Sequence, residues 1–150
     1  MIKELFVSYM IPLYDKNALE KVVHTNHIRF IILHGSQATQ REHEGSDIDI
    51  AFLPKNTFKS KNTLALYRSL IEIFNKAMPS ADVDIKSLKH SDPLFRFEVV
   101  RDGILLYGDS TDYEEYKAVT FRMYDDAKPL FDLEHSLVLK YQKHLNALHY

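Results

Sequence analysis

A chain of 150 residues with 45% hydrophobic and 27% charged side chains is sized for one domain with a real core, and is too short for two independent ones. Its net charge of −2 argues against a broad nucleic-acid surface, and no apolar run approaches the roughly 20 residues of a membrane span. It has no cysteine, which excludes a disulfide framework and a thiolate zinc site and makes the cytoplasm the default setting.

The opening Met1-Ile2-Lys3-Glu4 leads into a segment broken by Ser8, Pro12 and Asp15 and does not read as a signal peptide. Ile2, Leu5, Phe6, Met10 and Ile11 suit a short amphipathic helix that Pro12 ends. Asp15 is placed to cap a helix running to about His24, with Leu19, Val22 and Val23 on its buried side. A strand is expected over Ile28 to His34, broken at Gly35-Ser36. The polar stretch Gln37 to Glu44 suits a short helix ended by Gly45. A second strand carries Asp47-Ile48-Asp49-Ile50 and stops at Pro54. Leu64, Leu66, Leu70, Ile71, Phe74 and Ala77 recur at helical spacing from about Asn62 to Met78, and Pro79 closes that element. A third strand follows at about Asp82 to Leu88. Asp92-Pro93 starts a helix to Val100, and Arg101-Asp102-Gly103 turns into a short last strand, Ile104 to Tyr107. Beyond Gly108 the spacing predicts two helices: one capped by Thr111 or Asp112 and running to about Asp126, and one starting at Pro129 and reaching about Leu148. Leu133, Leu137, Tyr141, Leu145 and Leu148 form a stripe that must be buried, on the chain's own core or on a partner.

The chemistry concentrates between Arg29 and Leu53. At Gly35-Ser36 the backbone can approach a ligand closely, and a phosphate fits there. In Asp47-Ile48-Asp49 the period of two puts both carboxylates on one face and Ile48 and Ile50 on the other. Two carboxylates aimed together are costly unless a cation lies between them, so a divalent-metal site facing a phosphate turn follows, the apparatus of phosphoryl or nucleotidyl transfer. A helix beginning beside Ser36 would turn free N–H groups toward the phosphate. Asp82, Asp84 and Lys86 share one face of the third strand. Lys86 has two uses open to it, a salt bridge with these acids or a phosphate contact. Arg96 and Arg101 are open in the same way between phosphate and surface pairing. Lys55, Lys59 and Lys61 read as a solvated loop. The eight histidines include no helical pair at i+4, which argues against a histidine zinc site. His34, beside Gly35, either lines the pocket or sits at the edge of the core.

Gly35-Ser36 followed after ten residues by Asp47-Ile48-Asp49 resembles the signature of the nucleotidyltransferase superfamily, of polymerase beta type. The short chain, with Ser46 before the aspartates, is similar to the minimal nucleotidyltransferase antitoxins, which are paired with HEPN-domain ribonuclease toxins. The resemblance spans about Asp15 to Tyr107. It implies an α/β (α+β) nucleotidyltransferase fold in a single domain: an N-terminal extension (1–14), a catalytic core (15–108) with a small mixed sheet and flanking helices, and a C-terminal helical tail (109–150). It supplies a third carboxylate at Asp84, so that Asp47, Asp49 and Asp84 hold magnesium, in the two-ion arrangement, against ATP bound by Gly35, Ser36 and Ser46. Family members usually carry arginine after the Gly-Ser pair and often glycine three residues later, where this chain has Gln37 and Gln40.

The function implied by that resemblance is transfer of AMP from ATP to a tyrosine of a cognate HEPN toxin, in a hetero-oligomer with it and with no membrane or direct nucleic-acid partner. Two other readings stand beside it. One is an antitoxin that only binds, its metal site vestigial, and the other is a small-molecule nucleotidyltransferase, for whose usual acceptor domain this chain has little room.

Overall fold

The computed structural model describes residues 14–39, 47–56 and 63–148. The expected helix before Pro12, most of the helix expected over Gln37 to Glu44, Ser46, and Lys59 and Lys61 lie outside the described residues.

Helix α1 (Lys16–Thr25) starts as its cap predicts, the Asp15 carboxylate accepting the Ala18 N–H at 3.0 Å. Strand β1 (Ile28–His34) is a run of branched and aromatic side chains that ends where Gly35 turns to φ +72°. After the short helix α2 (Gly35–Thr39), strand β2 (Ile48–Pro54) returns antiparallel to β1. Helix α3 (Thr63–Ala77) then carries the chain over to β3 (Val83–Ser87), which lies parallel to β2. Helix α4 (Pro93–Asp102), capped by Asp92 with Pro93 in its first turn, precedes β4 (Ile104–Tyr107), antiparallel to β1. The strand order is β3-β2-β1-β4, a small mixed sheet as expected.

Alternation along the strands builds two cores. Ile31, Leu33, Ile48, Ile50, Phe52 and Ile85 pack under Leu19 and Val23 of α1 and Leu66, Leu70, Ile73 and Phe74 of α3. Phe30, Ile32, Ala51 and Leu88 pack on the other side under Val99 and Val100 of α4 and Tyr113 of the last helix.

The tail departs from expectation. A single helix, α5, runs from Ser110 to Leu148 with Pro129 inside it, where two helices were predicted. Proline removes the N–H that would bond the carbonyl of residue 125, yet its fixed φ is a helical one, so intact turns on both sides carry the helix through. Its cap is also different: Asp109 accepts the Asp112 N–H at 2.8 Å, while Asp112 itself pairs with Arg29 in a fork of two hydrogen bonds. The first half of α5 is held by the body: Phe30 meets the Tyr113 and Tyr116 rings, and Phe97 of α4 stacks on Tyr124 with centroids 4.1 Å apart. Beyond Phe131 every described side chain is exposed, so the Leu133-to-Leu148 stripe is not part of this chain's described core. Among the described residues no helix is long and apolar enough to cross a membrane.

Candidate functional site: a carboxylate row beside a glycine turn

Three strands deliver the site. In the β1–β2 register His34 faces Asp49, and in the β2–β3 register Asp49 faces Asp84, giving a row His34–Asp49–Asp84 across the sheet. Asp49, Ala51 and Leu53 share one side of β2, and Asp84, Lys86 and Leu88 one side of β3. Because Ala51, Leu53 and Leu88 lie in the core beneath α4 and α5, the aspartates occupy the same face, at the end where cover thins. Ile48 and Ile50 point into the opposite core, as the period of two requires.

Gly35 is tied to this row by contact. A Cβ placed on it would come to 2.2 Å from Oδ2 of Asp49, and its φ of +72° is one that other L-residues seldom adopt. The turn and the carboxylate therefore touch, which is what a phosphate turn facing a metal ligand needs. Ser36 follows in α2, where the Thr39 hydroxyl donates to the Gly35 carbonyl at 3.1 Å and stiffens the turn. Helix α2 starts at Gly35, two residues earlier than expected, so Ser36 lies within its first turn and not ahead of it. Gln37, at the position where arginine is usual in the family, is buried and faces the protein interior.

Asp47 is exposed just ahead of β2, two residues before Asp49 and so on its side of the strand. Among the described residues no three His, Asp or Glu side chains already converge into a metal cage. The donor set nevertheless fits magnesium, which prefers oxygen ligands and retains several waters. A positive charge already sits against these acids: Lys86 Nζ lies 2.7 Å from Asp84 Oδ2, and that hydrogen bond holds the ammonium pKa above its ordinary value. Of the two uses open to Lys86, the salt bridge is the one seen.

His34 is buried at the inner end of the row, its ring edge-on to Phe95 of α4 with centroids 5.7 Å apart. Burial pushes its pKa down, against the opposing pull of Asp49, and keeps the imidazole neutral. Phe95 also meets Lys86, whose Nζ is 5.7 Å from the ring centre. Sequence reasoning passed over Phe95, since one aromatic among several apolar residues of α4 carries no distinguishing signal. Arg96 donates to the Ser91 hydroxyl and Arg101 pairs with Asp102, so both have protein partners. The groove lined by Asp15, Ser69, Glu72 and Lys76 lies between α1 and α3, on the opposite face of the sheet from the carboxylates.

Residues 17–112 match the family described as Polymerase beta, Nucleotidyltransferase. The chain belongs to that family. It is 29% identical over 112 residues to the protein adenylyltransferase MntA of Shewanella oneidensis, an overlap of 73% of this chain and 77% of that relative. A crystal structure described as a toxin–antitoxin with AMP-PNP contains a chain that superposes with a TM-score of 0.65 at 26% identity, over 83% of this chain and 98% of that one. Another, described as tri-AMPylated Shewanella oneidensis HEPN toxin in complex with MNT antitoxin, gives a TM-score of 0.61 at 25% identity, over 82% and 94% of the two chains. The mixed α/β architecture of this nucleotidyltransferase is thus the one expected from its motif.

Proposed function

We propose that this nucleotidyltransferase is an antitoxin that moves AMP from ATP onto a tyrosine hydroxyl of a cognate HEPN ribonuclease toxin, and that it does so as a hetero-oligomer with that toxin. The observation that carries the reading is the contact of Gly35 with Asp49, which in turn faces Asp84 across paired strands. The similarity to MntA, a named protein adenylyltransferase, supports the choice of AMP and of a protein acceptor.

In this reading the Gly35 backbone and Ser36, with Ser46, bind the triphosphate. Asp47, Asp49 and Asp84 hold magnesium, which supplies charge neutralisation at the α-phosphate and a lowered pKa for the attacking hydroxyl. The tyrosine oxygen bonds to the α-phosphorus, and the bond to the pyrophosphate oxygen breaks. Pyrophosphate leaves, and Asp84, exposed on the edge strand, either helps hold the metal while the hydroxyl proton passes to solvent or takes that proton itself. Glycine at position 35 leaves the room that the Asp49 carboxylate occupies, and so brings the backbone of the turn against that carboxylate. A cytoplasmic setting, where ATP is plentiful, belongs to the same proposal.

Incubation of the protein with ATP, magnesium and the HEPN toxin, followed by intact-mass measurement, tests this. The expected result is addition of whole AMP groups to the toxin and loss of its ribonuclease activity, both abolished by Asp49→Asn. Neutralisation by Asp49→Asn with no mass gain would establish a binder in place of an enzyme, and activity on small hydroxyl compounds alone would remove the toxin from the account.

A further inference from the structure

Among the described residues, Lys86 seats a positive charge on the carboxylate row, and the proposed AMP transfer assigns it no role. Its ammonium contacts Oδ2 of Asp84, one of the oxygens a divalent cation would need, and both side chains are about half exposed, so neither is locked in place. Asp49 faces Asp84 directly across the paired strands, so the charges of both carboxylates act on the ammonium. We propose that Lys86 is a resident counter-ion that occupies the metal's place in the nucleotide-free protein and, when the metal–ATP complex binds, moves from Asp84 to the phosphates of that complex.

The proposal rests on the metal–nucleotide reading of the site and adds a positioning residue to it. A divalent ion on Asp84 and an ammonium on the same carboxylate repel each other, so one displaces the other. The lysine stem is four carbons long with rotatable bonds, and it rests near the Phe95 ring, a platform on which it can swing without losing apolar contact. The incoming metal brings the triphosphate with it, which offers the released ammonium a new anion on the same face of β3. Metal alone must compete with Lys86 and gains no such compensation, so metal binding and nucleotide binding become coupled through one side chain.

Manganese binding to the 150-residue chain, followed by electron paramagnetic resonance, measures this with and without AMP-PNP. In Lys86→Met the free ion is expected to bind roughly two- to fivefold tighter than in the parent, as removal of a half-exposed ion pair allows. The AMP-PNP–manganese complex is expected to bind about tenfold more weakly, for loss of a charged phosphate contact. Lys86→Arg keeps the charge and should follow the parent in the first measurement. Unchanged or weaker binding of free manganese to Lys86→Met overturns the counter-ion role. Unchanged affinity for the AMP-PNP complex overturns the transfer to phosphate. Absence of manganese binding in parent and variants alike, with AMP-PNP present, defeats the metal reading itself and the inference with it.

Discussion

The two faces of the sheet are built from the same strands and differ along their length. Under α1 and α3 the face is apolar across its centre, Ile31, Leu33, Ile48, Ile50, Phe52 and Ile85 all being buried, and its polar member on the edge strand is Ser87, beside Phe52. Under α4 and α5 it starts the same way, with Phe30, Ile32, Ala51 and Leu88, and then gives way to His34, Asp49, Asp84 and Lys86. Consecutive residues Ile48, Asp49 and Ile50 show the principle at its shortest: the period of two lets a strand anchor itself through one side while it presents a carboxylate on the other. The first face can be rigid because it has no chemistry to perform. The second combines a packed half that fixes the register with an open half that carries the charges.

Substitutions should separate the two faces. Asp49→Asn is expected to lower AMP transfer on the order of a thousandfold, equivalent to several kcal/mol of lost transition-state stabilisation, in a mass-based or radiolabel assay. Its thermal midpoint should stay put or rise slightly, because one of two facing carboxylates has been neutralised. Phe52→Ala, on the opposite face, should cost about 3–5 kcal/mol in urea unfolding, while the folded fraction keeps the parent's metal affinity. A destabilised Asp49→Asn, or a Phe52→Ala with normal stability, would erase the division of labour.

A smaller effect probes how the chemical face is closed at its far edge. The guanidinium of Arg29 holds the Asp112 carboxyl below its ordinary value of 3.8 and joins β1 to the start of α5. The folded state therefore binds that proton less readily than the unfolded chain does. The pair's contribution is in full force above the ordinary carboxylate value and fades as pH falls through it toward the lower folded value. With the two side chains 37% and 38% exposed, it amounts to no more than about 1 kcal/mol. Asp112→Asn should flatten the acid limb of a stability–pH curve below about pH 4 and leave the neutral stability lower by that amount. The smallest effect is expected for Leu137→Ser in the exposed half of α5: within about 0.5 kcal/mol of the parent's unfolding free energy in the isolated chain.

Much of this arrangement is local and therefore readable from the chain. The bounds of β1 follow from a branched apolar run stopped by Gly35, those of β2 from Pro54, and the starts of α1 and α4 from Asp15 and Asp92. The shared side of Asp47 and Asp49 follows from alternation alone. What the spacing of residues alone could not give is whatever depends on which strands become neighbours, and it is the family resemblance that puts Asp84 with Asp47 and Asp49. Asp84 meets Asp49 only because β3 lies parallel beside β2 in one register, and Phe95 reaches His34 and Lys86 only because α4 crosses that end of the sheet. Pro129 misled for the opposite reason: a strong local signal to break was outweighed by long helical runs on both sides of it.

That unbroken helix changes how distances behave in this protein. At about 1.5 Å of rise per residue, its 39 residues make a rod of roughly 58 Å, and the part beyond Pro129 accounts for nearly half of it. The missing hydrogen bond at the proline makes that turn the softest of the rod. A bend of about ten degrees there carries the far end sideways by on the order of 5 Å, while the anchored half, stacked on Phe97, stays where it is. The tail is a lever with its fulcrum at Pro129, and whatever grips its tip is granted reach without disturbing the body that holds the first half of the helix.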